Sequence, residues 1–155
     1  MNNFNRIFGS GPKGLLISLV LLYFSFYLKD LLGIPKIFND QIFIRQSIFG
    51  LLTIASIAVI IWSLISLNPN LRGKTLVTTG ALKYFRHPLY AAFLSFFNFG
   101  LAILLNNWIF IFWAILLHPI WHLLVAEEEK TLKATFPNDY EKYCKNTGRF
   151  FPRLF

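Results

Sequence analysis

Apolar residues in this chain gather in long runs instead of alternating with polar ones. Gly14–Leu32, Ile42–Leu67, Leu89–Leu105 and Trp108–Ala126 carry few charges. Each is close to the roughly 20 residues that a helix rising about 1.5 Å per residue needs to cross a hydrocarbon core of about 30 Å. The pattern predicts an all-α fold with four transmembrane helices over 14–32, 42–67, 89–105 and 108–126. The first run has the charge order of a signal peptide, with Arg6 and Lys13 ahead of it, but no small-x-small cleavage pattern follows. It is expected to remain as a span, with Lys29 snorkelling to the interface.

The polar breaks define the connections. Pro35 blocks helix continuation between the first two runs, and Asn68-Pro69-Asn70 ends the second. Asn106-Asn107 alone separates the third from the fourth, which forces an antiparallel pair in contact. Gly50, Ala55, Ser56 and Ala58 permit close helix approach in the second span. Pro119 removes one backbone donor from the fourth and is expected to kink it. From Glu127 to Phe155 the chain is charged and aromatic together, which predicts an interfacial helix and a folded extension after the last span.

Composition places the whole chain, a single unit of 155 residues, in a bilayer: 55% hydrophobic, 14% charged and a mean hydropathy of +0.54 exceed what a soluble domain of this length carries. The net charge of +8 does not imply nucleic acid, because the cations flank apolar runs instead of forming a stripe. The N-terminal segment, the loop before residue 89 and the tail hold two, four and six Lys or Arg, against Lys29, Lys36 and Arg45 on the other side. The positive-inside rule therefore predicts both termini and that loop in the cytoplasm. A lone cysteine, Cys144, excludes an intramolecular disulfide.

Polar chemistry is confined to two stretches. One is the loop 79–90, containing Gly80, Tyr84, Arg86, His87, Pro88 and Tyr90; the other is Glu127-Glu128-Glu129 after the fourth run. An interfacial aromatic belt with arginine on phosphate and proline at a helix's first turn accounts for the loop, and a solvated helix face for the glutamates. The alternative is a site in which the two stretches meet, since charge at a span's end is costly unless paired or facing a polar cavity. His118 and His122 have the spacing of a metal pair, but no third ligand accompanies them, so no metal is expected; His122 is also a candidate base. Trp62, Trp108, Trp113 and Trp121 read as interface anchors and packing.

The order of the loop residues, Thr79-Gly80, Tyr84, Arg86-His87-Pro88 and Tyr90, resembles the signature of the isoprenylcysteine carboxyl methyltransferase and phospholipid methyltransferase superfamily. The tail is similar as well, in Glu128-Glu129, Leu132, Phe136, Tyr140, Tyr143, Arg149-Phe150 and Pro152, so that the likeness covers about residues 75 to 153. Four positions depart from that pattern: Pro137 replaces a glycine, Ala81 a proline, and Thr147-Gly148 a valine-proline pair. The resemblance implies an integral membrane enzyme that takes a methyl group from S-adenosylmethionine. It assigns Gly80, Tyr84, Arg86, His87, Pro88, Tyr90, Glu128, Glu129, Tyr140 and Tyr143 to cofactor binding, and Arg86, His87 and Glu128 to catalysis.

Elementary chemistry agrees with those residue types. Guanidinium and imidazole suit the donor's carboxylate, a carboxylate suits its ammonium or ribose hydroxyls, and tyrosine faces suit adenine or a sulfonium. Acceptors compatible with such a site are a prenylcysteine-type carboxylate, a phospholipid amine or a thiol. An NADPH-dependent membrane reductase of the sterol-reductase type and a non-enzymatic scaffold or small transporter are the competing readings.

Overall fold

The computed structural model describes residues 9–39, 41–67 and 75–153. The expected stop at Asn68-Pro69-Asn70, together with Arg6, Arg72 and Lys74, lies outside the described residues. Four helices are long and apolar enough to cross a membrane: α1 (Gly11–Leu31), α2 (Ile42–Ser66), α3 (Pro88–Leu105) and α4 (Trp108–Thr135). A fifth, α5 (Pro137–Asn146), follows α4. Apart from one isolated bridge between Phe85 and Gly148, the described residues form helices, turns and connections, which makes the fold all-helical.

Neighbours in space run α1, α4, α3, α2. Between α1 and α4 the junction is made by polar atoms at membrane depth. Ser18 accepts the Trp113 indole N–H on its carbonyl at 3.0 Å and that of Trp121 on its hydroxyl at 3.1 Å. Both indoles are buried, so these bonds satisfy donors that lipid could not. Trp62 and Trp108 are exposed, as interface anchors would be. The outer faces are apolar, with Leu19, Ile54, Ile57, Leu64 and Leu123 among many exposed hydrophobic side chains.

The α3–α4 turn is as tight as its two asparagines require. Asn106 adopts the left-handed region at φ 55°, and Asn107 caps α4 by accepting from Ile109 N at 3.1 Å. Both asparagines also fasten the α1–α2 connector: Asn106 exchanges two bonds with Phe38, and Asn107 donates to Ile34 O at 2.7 Å.

One detail differs from expectation. The residues Glu127–Thr135 form no separate interfacial helix but continue α4, because glutamate, lysine, leucine and alanine all favour a helix and the chain first breaks at Phe136-Pro137. At 28 residues α4 spans about 42 Å, longer than a hydrocarbon core of about 30 Å, so its last turns project past the bilayer. Pro119 lies inside this helix, where it removes one backbone donor. Within α3, Ala92–Phe97 widens into a π-helical segment, and Ser56 of α2 donates to the Ala92 carbonyl there at 3.1 Å.

Candidate functional site

Four helix ends converge at one end of the bundle: the start of α1, the end of α2, the start of α3 and the late turns of α4. Gly80 opens the approach to α3 with φ +61°, a conformation suited to glycine, and a Cβ there would run into the Ser66 side chain. A short 3-10 turn (Gly80–Lys83) follows. Next comes Arg86-His87, and Pro88 sits at the first turn of α3, where its missing N–H costs nothing.

The C-terminal segment docks on this loop through its backbone. Arg86 N donates to Gly148 O at 2.8 Å and His87 N to Arg149 O at 3.2 Å. Arg86 Nη1 donates to Thr147 O at 2.5 Å and to Cys144 O at 3.3 Å, while the Tyr143 hydroxyl donates to Leu82 O at 2.5 Å. Thr147 and Gly148, which depart from the family pattern, both contribute to this seam. The Thr147 hydroxyl donates to Lys83 O, and a Cβ at Gly148 would overlap the Phe151 carbonyl.

An ionic cluster lies beneath the seam. Glu129 accepts from Arg86 Nε at 3.0 Å and from Arg149 Nε at 3.0 Å, and Arg149 Nη2 binds its other oxygen. Arg149 Nη1 in turn donates to His122 O at 3.0 Å and lies 2.9 Å from His122 Nδ1. Those bonds to Glu129 hold the Arg149 pKa above its ordinary value. Glu128 faces the other way: its Oε1 accepts from the Tyr90 hydroxyl at 3.0 Å and from the backbone N–H of Ser10. His87 is buried between the two carboxylates, Nδ1 3.6 Å from Glu128 Oε2 and Nε2 3.3 Å from Glu129 Oε1, with its ring stacked on Tyr90.

The sequence-derived residues thus divide. Arg86, His87, Tyr90, Glu128 and Glu129 meet in one cluster. Tyr140 and Tyr143 are buried beside it on α5, and burial raises both phenol pKa values, so they remain neutral hydroxyls. Pro88 lines the adjoining cavity. Gly80 and Tyr84 take no part in the cluster; Tyr84 is exposed and its ring packs against Trp62, 5.7 Å between centroids. Outside the anticipated set are Arg149 and Ser10. A clue to Arg149 was its place in the tail motif, whereas Ser10 enters through a backbone N–H that no side-chain pattern reveals.

Arg86, His87, Tyr90 and Glu128 share a cavity of about 250 Å³ with Ser63 and Pro88, rimmed by Leu67, Leu89 and Leu132. The Tyr140 hydroxyl is buried without a hydrogen bond, His87 Nε2 faces Glu129 Oε1 at 3.3 Å, and Glu128 Oε2 lies 3.6 Å from His87 Nδ1. The described residues contain no group of three or more His, Cys, Asp or Glu that could hold a metal ion.

A bundle of four membrane-length helices with its ionic chemistry gathered at one end defines an integral membrane protein. Residues 37–134 match the isoprenylcysteine carboxyl methyltransferase (ICMT) family, and the chain belongs to that family of membrane methyltransferases. No curated protein and no solved structure matches the chain. The matched residues include Arg86, His87, Tyr90, Glu128 and Glu129, while α1, α5 and Arg149 lie outside them.

Proposed function

We propose that the protein transfers a methyl group from S-adenosylmethionine to a lipophilic acceptor at the membrane surface. The observation that carries this reading is the charge balance of the cluster beside the cavity. Two guanidiniums and two carboxylates sum to zero, and the groups left for a ligand are the second Glu128 oxygen, 3.6 Å from His87 Nδ1, and the Tyr140 hydroxyl. Such a set suits the zwitterionic amino-acid end of the donor. A nicotinamide dinucleotide phosphate would instead call for surplus cations, and both guanidiniums here are already engaged with Glu129.

The residues fit the donor in distinct roles. Glu128 Oε2 takes the ammonium, and His87, held between Glu128 and Glu129, keeps that carboxylate in place. Tyr90, in the cavity wall, offers a face for the adenine or the sulfonium, an attraction worth about 0.5 to 2 kcal/mol. Arg86 has a different part from the one its residue type suggests. Its Nε and Nη1 are committed to Glu129 and to the tail carbonyls, so it holds the site closed and leaves direct ligand contact to its neighbours. When bound, the donor supplies the electrophilic methyl group. The chain's task is to hold it in line with the acceptor and keep water away.

The rim of Leu67, Leu89 and Leu132 suits an acceptor with an apolar tail. A carboxylate acceptor demands least, because it needs no base at neutral pH, whereas an amine or thiol must lose a proton. His122, bonded to Arg149, supports the cluster and is not drawn into a base role.

Titration of S-adenosylmethionine into the detergent-purified protein by calorimetry tests this. Saturable binding is expected in the wild type and a loss of at least about tenfold in Glu128→Gln, which keeps the side chain's shape and removes its charge. Binding of NADPH in place of S-adenosylmethionine would establish the reductase reading, and binding of neither the scaffold reading.

A further inference from the structure

The first turn of α1 lies outside the residues that define the family, yet it reaches the centre of the site. Gly9 has φ +57°, which swings the chain so that the Ser10 N–H meets Glu128 Oε1. The Ser10 hydroxyl donates to Leu124 O at 2.9 Å, one turn before Glu128 on α4, and Ser10 O accepts the first helical bond of α1 from Gly14 N at 2.9 Å. There is no slack in this approach. A Cβ on Gly9 would lie 3.0 Å from the Glu128 carboxyl carbon and 3.1 Å from the Tyr90 hydroxyl. Five residues later Gly14 packs beneath Trp121, where a Cβ would stand 2.5 Å from the indole.

We infer that Ser10 is a positioning residue for the donor site, its backbone N–H orienting the Glu128 carboxylate toward the donor's ammonium. This inference rests on the methyl-donor reading above. Glu128 sits late on α4, partly exposed, on a side chain with several rotatable bonds. Two donors on the same oxygen, the Tyr90 hydroxyl and the Ser10 N–H, fix its rotamer and leave Oε2 on the side of His87. A carboxylate already oriented loses less entropy when a cation arrives, so the contact raises affinity without touching the ligand. The same geometry explains why α1 belongs to the site: its hold on α4 through Ser18, Trp113 and Trp121 keeps the turn in place.

The substitution that removes the contact is Ser10→Pro, whose ring Cδ takes the place of the amide hydrogen against Glu128 Oε1. Ser10 has φ −82°, near the value proline imposes, so the change removes the N–H while preserving the acceptor that starts α1. Ser10→Ala is its control, since it deletes only the hydroxyl. Calorimetry with S-adenosylmethionine and with 5′-methylthioadenosine, which keeps the adenosine but lacks the ammonium and carboxylate, reads the effect. Ser10→Pro is expected to weaken S-adenosylmethionine about tenfold and to leave 5′-methylthioadenosine within about twofold, with Ser10→Ala close to wild type. Equal affinity for S-adenosylmethionine in Ser10→Pro and wild type overturns the inference, as does a parallel loss of both ligands, which a general loosening of the bundle would give. Should Ser10→Pro not yield monodisperse protein, Gly9→Ala, whose Cβ pushes the turn off the carboxylate, is read by the same two ligands and the same criteria. Absence of S-adenosylmethionine binding in the wild type overturns the donor reading itself, and the inference with it.

Discussion

Glu129 carries more of the site's internal order than any other side chain. It joins the loop through Arg86, the C-terminal segment through Arg149 and the start of α3 through His87, with only 12% of its side chain exposed. Removing it leaves two guanidiniums, both largely buried, without their counter-ion. Breaking a buried pair from one side costs about 3 kcal/mol or more, because the remaining charge stays desolvated. Glu129→Ala is therefore expected to lower the thermal unfolding midpoint by several degrees in detergent, and Glu129→Ala with Arg149→Leu to recover part of the loss. An unchanged midpoint in the single variant would show the cluster to be solvated. At this scale the sequence was readable where chemistry is sparse. With only seven Asp and Glu in the chain, an acidic triplet and an Arg-His-Pro loop stand out as partners. The role of Arg86 was not readable, because its residue type fits a ligand carboxylate as well as it fits backbone carbonyls. The Ser10 contact had no signal, since every residue but proline carries a backbone N–H and its partner lies 118 positions away.

Among the elements, α5 and the segment after it are held to the loop mainly by hydrogen bonds to backbone carbonyls. The Tyr143 hydroxyl is buried against Leu82 O, and Tyr143→Phe leaves that acceptor unsatisfied at a cost of about 1 to 2 kcal/mol. Since Tyr143 is one of the two buried side chains of α5, the cost is expected as local opening: hydrogen exchange across Pro137–Asn146 should rise about tenfold while α2 and α3 keep their protection. A uniform rise through all helices would mean that α5 opens only with the bundle. The four spans were legible as apolar runs because lipid demands length and apolarity together. The continuation of α4 to Thr135 was not, since the change from apolar to charged residues at Glu127 marks the end of the membrane and leaves the helix unbroken. Nor was the π segment of α3, whose sequence Ala92–Phe97 has no proline or glycine. Its widened turn is matched by a bond from Ser56 on the neighbouring helix, a tertiary contact without a local mark.

For the molecule as a whole, the antiparallel order of the spans ties the position of the site to the orientation of every loop. The ionic cluster, the start of α1 and α5 share one end of the bundle, and the α1–α2 and α3–α4 connections share the other. Of the described Lys and Arg only Lys29, Lys36 and Arg45 belong to the latter end. That asymmetry argues for a cytoplasmic site, because juxtamembrane cations are retained on the cytoplasmic face during insertion. Lys133, exposed on the projecting end of α4, and Lys36, exposed in the α1–α2 connector, report the two ends. In a Cys144→Ala background, a membrane-impermeant maleimide is expected to label Lys133→Cys in inside-out vesicles and Lys36→Cys in right-side-out vesicles. The converse pattern would place the site on the outer face and exclude an acceptor confined to the cytoplasmic leaflet. Labelling of both positions from one side would break the four-span topology itself, and with it the convergence of helix ends on which the site depends.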